Sequence, residues 1–136
     1  MRKMLIAACA ALFWTAALFA ADPATGLWKS IDDKTNKVTA VWSLYEENGM
    51  LFGKILAVAD APQDVVASNC KKAYKDFPAS GDVSKMRIVG TTWIFNMQKD
   101  SNGNWSKGSV IDPNNGNMYG CVMNYIAAGE KHKKYT

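Results

Sequence analysis

Few residues in this sequence have the types and spacing that catalysis requires. His132 is the single histidine among the 136 residues, and it lies in a charged tail. A Ser-His-Asp arrangement and a histidine-based zinc site both need positioned imidazole groups, so neither can be assembled from this chain. We therefore expect a protein that is not an enzyme and that uses no cofactor.

Carboxylates are the remaining candidates for acid and base chemistry, because glycosidases use pairs of them. The five candidates, all at predicted turns, are Asp32, Asp33, Glu46, Glu47 and Asp112. Acidic residues are common at turns, where they cap backbone N–H groups and stay in water. A structural role in turns is therefore favoured over a catalytic one.

Aromatic residues are the strongest candidates for binding. Such side chains usually form the core, but a small barrel can hold one ligand, and Trp or Tyr on its inward faces would then line the cavity. The residues that we expect to line such a cavity are Trp42, Trp93, Phe95, Tyr119 and Tyr125.

The elements that must position these residues are strands. Segments rich in β-branched and aromatic residues alternate with short Gly, Asn and Asp turns, and no internal repeat is visible. The predicted strands are residues 26–30, 38–45, 50–58, 88–97, 105–111 and 117–127. Period two places Trp93, Phe95 and Met97 on one face of the clearest strand. The pattern predicts an all-β, antiparallel up-and-down sheet that curls into a barrel or an incomplete half-barrel.

One connection is long. Residues 59–85 lose the strand pattern, because Pro62, Pro78 and Gly81 interrupt it and charged residues keep it hydrated. We interpret this segment as a long mid-chain surface loop with a helical turn near residues 67–74.

The N-terminus has the three-part pattern of a secretory signal. Two basic residues precede an apolar run, Met4 to Phe19, and small residues follow at Ala20 and Ala21. We interpret residues 1–20 as a signal peptide and residues 21–136 as a single domain in the periplasm or outside the cell. The alternative is an uncleaved membrane anchor, since the run is close to the length that spans a bilayer.

Two cysteines lie outside this leader, Cys70 and Cys121. In an oxidising compartment a disulfide between them is the natural hypothesis, and it would pin the long loop to the last strand. The alternative is that Cys121 is a small buried residue and Cys70 a free loop thiol. The sequence leaves both readings open.

Charge argues against nucleic acid as a partner. The formal net charge is +4, but residues 22–129 carry 11 basic and 11 acidic side chains. The excess lies in the leader and in the tail, whereas nucleic-acid binding usually needs a concentrated basic face.

Several short motifs resemble one known family. They are Gly26-Leu27-Trp28-Lys29, then Glu47-Asn48-Gly49 running to Phe52-Gly53-Lys54-Ile55, then Ile111-Asp112-Pro113 and Asn115-Gly116-Asn117-Met118-Tyr119. In this order they resemble the bacterial exported family known as domain of unknown function 2147. The resemblance implies a lipocalin-like β-barrel with no agreed ligand or reaction. Members usually continue into a further C-terminal strand and often carry Cys-x-x-Cys in the mid-chain loop, where this chain has Cys70 and Ala73.

Together these observations predict a non-enzymatic, lipocalin-like binder of a small apolar ligand. The alternative is an envelope-associated interaction or structural protein that acts through its sheet edge and long loop, including a homodimer across an open edge. We expect membrane contact only through the signal segment before its cleavage.

The leader makes a direct prediction about the exported protein. N-terminal sequencing of the protein from the periplasm or the medium should begin within about two residues of Ala21, because signal cleavage sites vary by that much. Recovery of an intact Met1 form from the membrane fraction would contradict it.

Overall fold

In the described part of the chain, six strands form one antiparallel sheet in which each strand pairs with its neighbour in sequence. The structure, a computed structural model, describes residues 22–124. The strands are β1 (Gly26–Ile31), β2 (Val38–Glu47), β3 (Met50–Val58), β4 (Thr92–Lys99), β5 (Trp105–Ile111) and β6 (Met118–Met123). The sheet order is β1-β2-β3-β4-β5-β6, and the sheet curls into a half-barrel. The predicted all-β, up-and-down architecture is confirmed.

The tightest hairpin joins β2 to β3 through Asn48 and Gly49. Both residues have positive φ, 54° and 79°, and the flanking residues Glu47 and Met50 are partners in the ladder. This is the geometry of a two-residue hairpin turn whose twist matches that of the strands, and Asn and Gly adopt it at little cost. The turn was predictable from the sequence for that reason.

The register assigns side chains to two faces of the sheet. Trp42 is opposite Trp28 on β1 and Ile55 on β3, so these three residues share one face. Tyr45 is opposite Phe52, and these two share the other face, where their rings stack at 5.6 Å. We call these the cleft face and the loop-covered face, for the features described below.

A bulge in β4 changes the predicted alternation. Asn96 has φ 59°, and Leu51 and Gly53 of β3 are opposite Met97 and Ile94. Because Leu51 and Gly53 are two residues apart, their partners lie on the same face. Met97 therefore joins Ile94 on the cleft face. The prediction that Met97 shares a face with Trp93 and Phe95 was wrong, because simple period two does not anticipate the extra residue.

The cleft face is filled at one end of the half-barrel. The closed-end cluster consists of Ala24, Leu44, Leu51, Ile94, Met97, Trp105, Cys121 and Met123, all buried. Its members come from the end at which β2, β4 and β6 finish. The opposite end, at which β1, β3 and β5 finish, we call the rim.

A buried carboxylate anchors the chain over the closed end. Asp22 accepts hydrogen bonds from Ala24 N (2.8 Å) and Trp105 Nε1 (3.2 Å), and it pairs with Lys99. Burial by itself would raise the pKa of Asp22, but the hydrogen bonds from Lys99, Ala24 and Trp105 outweigh it and hold the pKa below its ordinary value. The carbonyl of Ala24 then accepts Trp28 Nε1 at 2.7 Å.

The mid-chain loop, residues 59–91, packs onto the sheet and does not form a free arm. Ala67, Cys70 and Ile88 are buried, and a bridge between Val66 and Arg87 closes the loop on itself. The loop has no helix near residues 67–74, where a helical turn was predicted; its one helical turn is the 3-10 helix Val83–Lys85. No described helix is long and apolar enough to cross a membrane.

Gly108 on β5 makes a testable contact with the closed-end cluster. A Cβ at Gly108 would lie 2.8 Å from Met97 Cα, whereas a Cβ at Gly120 on β6 would meet nothing within 4 Å. Gly108→Ala should therefore lower the free energy of unfolding by about 1 to 3 kcal/mol through overpacking. Gly120→Ala is the matched control and should change it little. Equal urea midpoints for the two variants would contradict this packing.

Asp22 makes the stability depend on acid pH. Because its folded pKa is lowered, the ionised carboxylate stabilises the fold above the ordinary Asp value, and this contribution is lost as pH falls through the lowered folded pKa. Asp22→Asn should cost about 1 to 2 kcal/mol at neutral pH, and the cost should vanish in strong acid. Exposed Asp64→Asn should show neither effect. Thermal melts from neutral to acid pH would measure this, and a pH-independent cost would refute it.

Candidate ligand-binding cleft

An open cleft of about 760 Å³ occupies the rim end of the cleft face. Its apolar wall comes from strands across the whole sheet: Trp42 on β2, Ile55 on β3, Val110 on β5 and Tyr119 on β6. Ile88 of the mid-chain loop completes that wall. Because Ser30 on β1 and Tyr119 on β6 line the same cavity, the curl of the sheet is what creates it.

Hydrogen bonds fix the Trp42 indole in the wall. Trp42 Nε1 donates to Ser30 Oγ at 3.2 Å, and Ser30 Oγ lies 2.6 Å from Thr39 Oγ1. All three residues line the cleft. The indole N–H is thereby satisfied by the protein, so the ring presents an apolar surface to the cavity.

Two connections of the same geometry line the rim. In the β1–β2 connection Asp32 N donates to Lys37 O (2.9 Å) and Asn36 N to Asp32 O (2.8 Å). In the β5–β6 connection Asp112 N donates to Asn117 O (2.9 Å) and Gly116 N to Asp112 O (2.8 Å). Each has a positive φ at its fifth residue, Asn36 or Gly116. In both connections the sequence is Ile-Asp, with Asn or Gly at the fourth position after the Asp. This shared pattern is not identified when each strand is considered separately.

The mid-chain loop holds the β5–β6 side of the rim in place. The contacts are Asn69 Nδ2 to Asn114 O (2.7 Å), Cys70 Sγ to Pro113 O (3.7 Å), Lys72 Nζ to Asn117 Oδ1 (2.9 Å) and Tyr74 Oη to Gly116 O (2.6 Å). Gly116 fits only as glycine, because a Cβ there would lie 2.9 Å from the Asn69 carbonyl carbon and its φ is 77°. The loop and the rim are therefore one packed unit.

Comparison with known proteins identifies a family that matches this chain. The model of a family described as uncharacterised proteins conserved in bacteria, DUF2147, matches residues 26–133. The chain belongs to this family. The resemblance drawn from its motifs is thereby confirmed. No curated protein matches the sequence.

A solved structure supports the fold. Protein HP1028 from the human pathogen Helicobacter pylori, described as belonging to the lipocalin family, is similar with a TM-score of 0.56 at 13% sequence identity. The match covers 74% of this chain and 64% of that chain, so this chain spans less than two thirds of its length. At this identity the likeness shows the fold alone, which is lipocalin-like.

The structure separates the aromatic residues that were expected to line a cavity. Trp42 and Tyr119 do line the cleft. Trp93 and Phe95 do not: they are fully buried on the loop-covered face, where Phe77 of the mid-chain loop packs on both at 5.9 and 5.6 Å. Their placement in the cavity is corrected. The alternation of apolar residues along the strand places Trp93 and Phe95 on the same face of the sheet. It does not show which face encloses the cavity, because apolar side chains are covered on both faces.

The fifth aromatic candidate, Tyr125, lies outside the described residues. The cleft residues that the sequence did not single out are aliphatic: Ile55, Val58, Val65, Ile88 and Val110. Nothing in their spacing distinguishes a cavity wall from ordinary core.

The two cysteines are free and buried. Cys70 lies under the mid-chain loop and Cys121 in the closed-end cluster, so the disulfide considered for them is not formed in this structure. Burial raises the pKa of Cys121 to about 11 and, more than any other cause, raises that of Cys70. Both are therefore thiols at neutral pH, whereas nucleophilic chemistry needs the thiolate.

Of the five carboxylates predicted at turns, Asp32 and Asp112 accept backbone hydrogen bonds there, whereas Glu46 and Glu47 lie at the end of β2. Asp32 Oδ1 accepts Lys34 N (2.8 Å) and Thr35 N (2.9 Å), and Asp112 Oδ1 accepts Asn114 N (2.8 Å). Within residues 22–124 no three His, Cys, Asp or Glu side chains come close enough to hold a metal ion. The described part of the cleft thus offers a fixed aromatic wall and a polar rim.

Proposed function

We propose that this protein is a non-enzymatic binder of one small, largely apolar molecule, held in the cleft between Trp42 and the rim. The observation that carries the proposal is the cleft itself. Its volume of about 760 Å³ falls within the range of small-molecule pockets, roughly 300 to 1,000 Å³. An apolar wall with a few polar groups at the mouth is the usual composition of such pockets.

The difference between the two ends of the half-barrel supports a binding function over a purely structural one. The apolar side chains of the closed-end cluster are buried against one another. At the rim end, by contrast, Trp42 is half-buried and Tyr119 is 49% exposed. Exposed aromatic surface inside a cleft is stabilised when a ligand removes it from water.

We further propose that the protein works in the periplasm or outside the cell. The support is the leader pattern of residues 1–20, and membership of a bacterial family with a lipocalin-like fold is consistent with it.

A second candidate function is partner recruitment through the sheet edge, including a homodimer. Among the described residues β1 and β6 each have a neighbour on one side only. The β6 sequence has no charged residue and no proline, and Met118 and Val122 are exposed on it. Such an edge lacks the usual features that oppose strand pairing. A protein that binds no apolar probe but dimerises in solution would favour this candidate.

Two residues of β6 test the binder proposal with a matched control. Tyr119 and Val122 are 49% and 47% exposed, but only Tyr119 lines the cleft. With the uncharged fluorescent probe N-phenyl-1-naphthylamine, Tyr119→Ala should raise the Kd about three- to tenfold through lost apolar contact, and Val122→Ala should leave it unchanged.

The same titrations can contradict the proposal. Absence of saturable binding to the unmodified protein would do so, and so would equal Kd values for the two variants. Native mass spectrometry of the complex should show one probe per chain.

A further inference from the structure

We propose that the cleft selects amphiphiles with a cationic head group over anionic ones of the same apolar tail. This inference rests on the proposed function, since it names the class of ligand for the same cleft. It follows from where the cleft places its charged residues.

Charge on the cleft lining is concentrated at the rim. The charged residues among the described lining are three carboxylates, Asp32, Asp60 and Asp112, and one ammonium group, Lys37. Their formal charge is −2, whereas the described chain between residues 22 and 124 is neutral. The lining at the rim is therefore negative, and the compensating formal charge of +2 lies elsewhere on the described domain.

The sheet topology brings these carboxylates to one end. Asp32 follows β1, Asp60 follows β3 and Asp112 follows β5. In an up-and-down sheet these odd-numbered strands all finish at the same end. The topology thus places three carboxylates around one opening, although they are up to 80 residues apart in sequence.

The closed-end cluster sets the orientation of a ligand. An apolar tail can enter from the rim towards Trp42 and Ile55, but the buried cluster leaves no room beyond them for a polar group. A charged head must stay at the rim, because moving it into the apolar wall would cost its hydration. The head group therefore lies among the carboxylates.

The fold fixes the side chain of Asp112 and the backbone of Asp60. Asp112 Oδ1 caps Asn114 N, and Asp60 has φ 58°, a conformation that Asp and Asn tolerate better than most residues. Within the described residues neither Asp60 nor Asp112 forms a salt bridge. Their charge is thus available to a ligand, and a cationic head would gain where a sulfate or carboxylate head would be repelled.

The test compares decyl amphiphiles that differ in the head group only. Decyltrimethylammonium, decyl sulfate and the uncharged decyldimethylamine oxide, each below its micelle concentration, would displace N-phenyl-1-naphthylamine from the cleft. At low salt we expect about a tenfold preference for the cationic probe over the anionic one, with the uncharged probe between them. The preference should shrink at about 0.5 M salt.

Two double variants make the test specific. Asp60→Asn with Asp112→Asn removes two rim charges while keeping the capping oxygen and the tolerance for positive φ, so the preference should fall to about twofold or less. Asp76→Asn with Asp82→Asn changes the net charge equally away from the cleft, and Asp76 also has positive φ, at 64°. This control should keep the preference. Circular dichroism would verify that every sample remains folded.

The possible failures are distinguishable. If the unmodified protein binds decyl sulfate as tightly as decyltrimethylammonium, or if the rim variant keeps the full preference, the charge inference is overturned and the binder proposal stands. If N-phenyl-1-naphthylamine shows no saturable binding to the unmodified protein, the proposed function is overturned and this inference with it.

Discussion

The structure depends on one constraint: a single sheet of six strands must cover apolar side chains on both of its faces. Curling covers one face, because strands from β1 to β6 then surround a common interior that is packed at the closed end. The mid-chain loop covers the other, with Phe77 lying on Trp93 and Phe95. Hydrophobic burial of this kind is the main favourable term in folding. The loop is therefore a part of the core, despite its polar composition.

The cleft results from the same curled sheet and covering loop. The closed end is stabilised by the anchored Asp22 and the Trp105 ring beside it, and among residues 22–124 no equivalent cluster fills the rim end. The rim is bordered by two connections of equal geometry, and one of them is held by four hydrogen bonds from the mid-chain loop. The mid-chain loop thus both covers the second face of the sheet and shapes the rim.

Family membership and a lipocalin-like fold agree with these observations but do not by themselves assign a ligand. A fold hosts many functions, so a function has to be inferred from the site. The features of this site that favour binding are the fixed Trp42 ring, the exposed Tyr119 ring and the carboxylates around the opening. The sequence left open whether the cysteines and the turn carboxylates take part in chemistry. In the structure the thiols are buried and protonated, and carboxylates cap turns, so these groups have structural roles.

By itself the sequence determined the strands, their up-and-down order and the Asn48-Gly49 turn, because alternation and turn chemistry act over a few residues. Two of the aromatic residues that the sequence singled out, Trp42 and Tyr119, line the cleft. Only the tertiary structure decided that Trp93 and Phe95 lie under the loop, that Met97 crosses to the cleft face, and that Cys70 and Cys121 lie apart. These outcomes depend on a bulge and on where a long loop packs. Both are set by contacts between distant residues, which local periodicity does not encode.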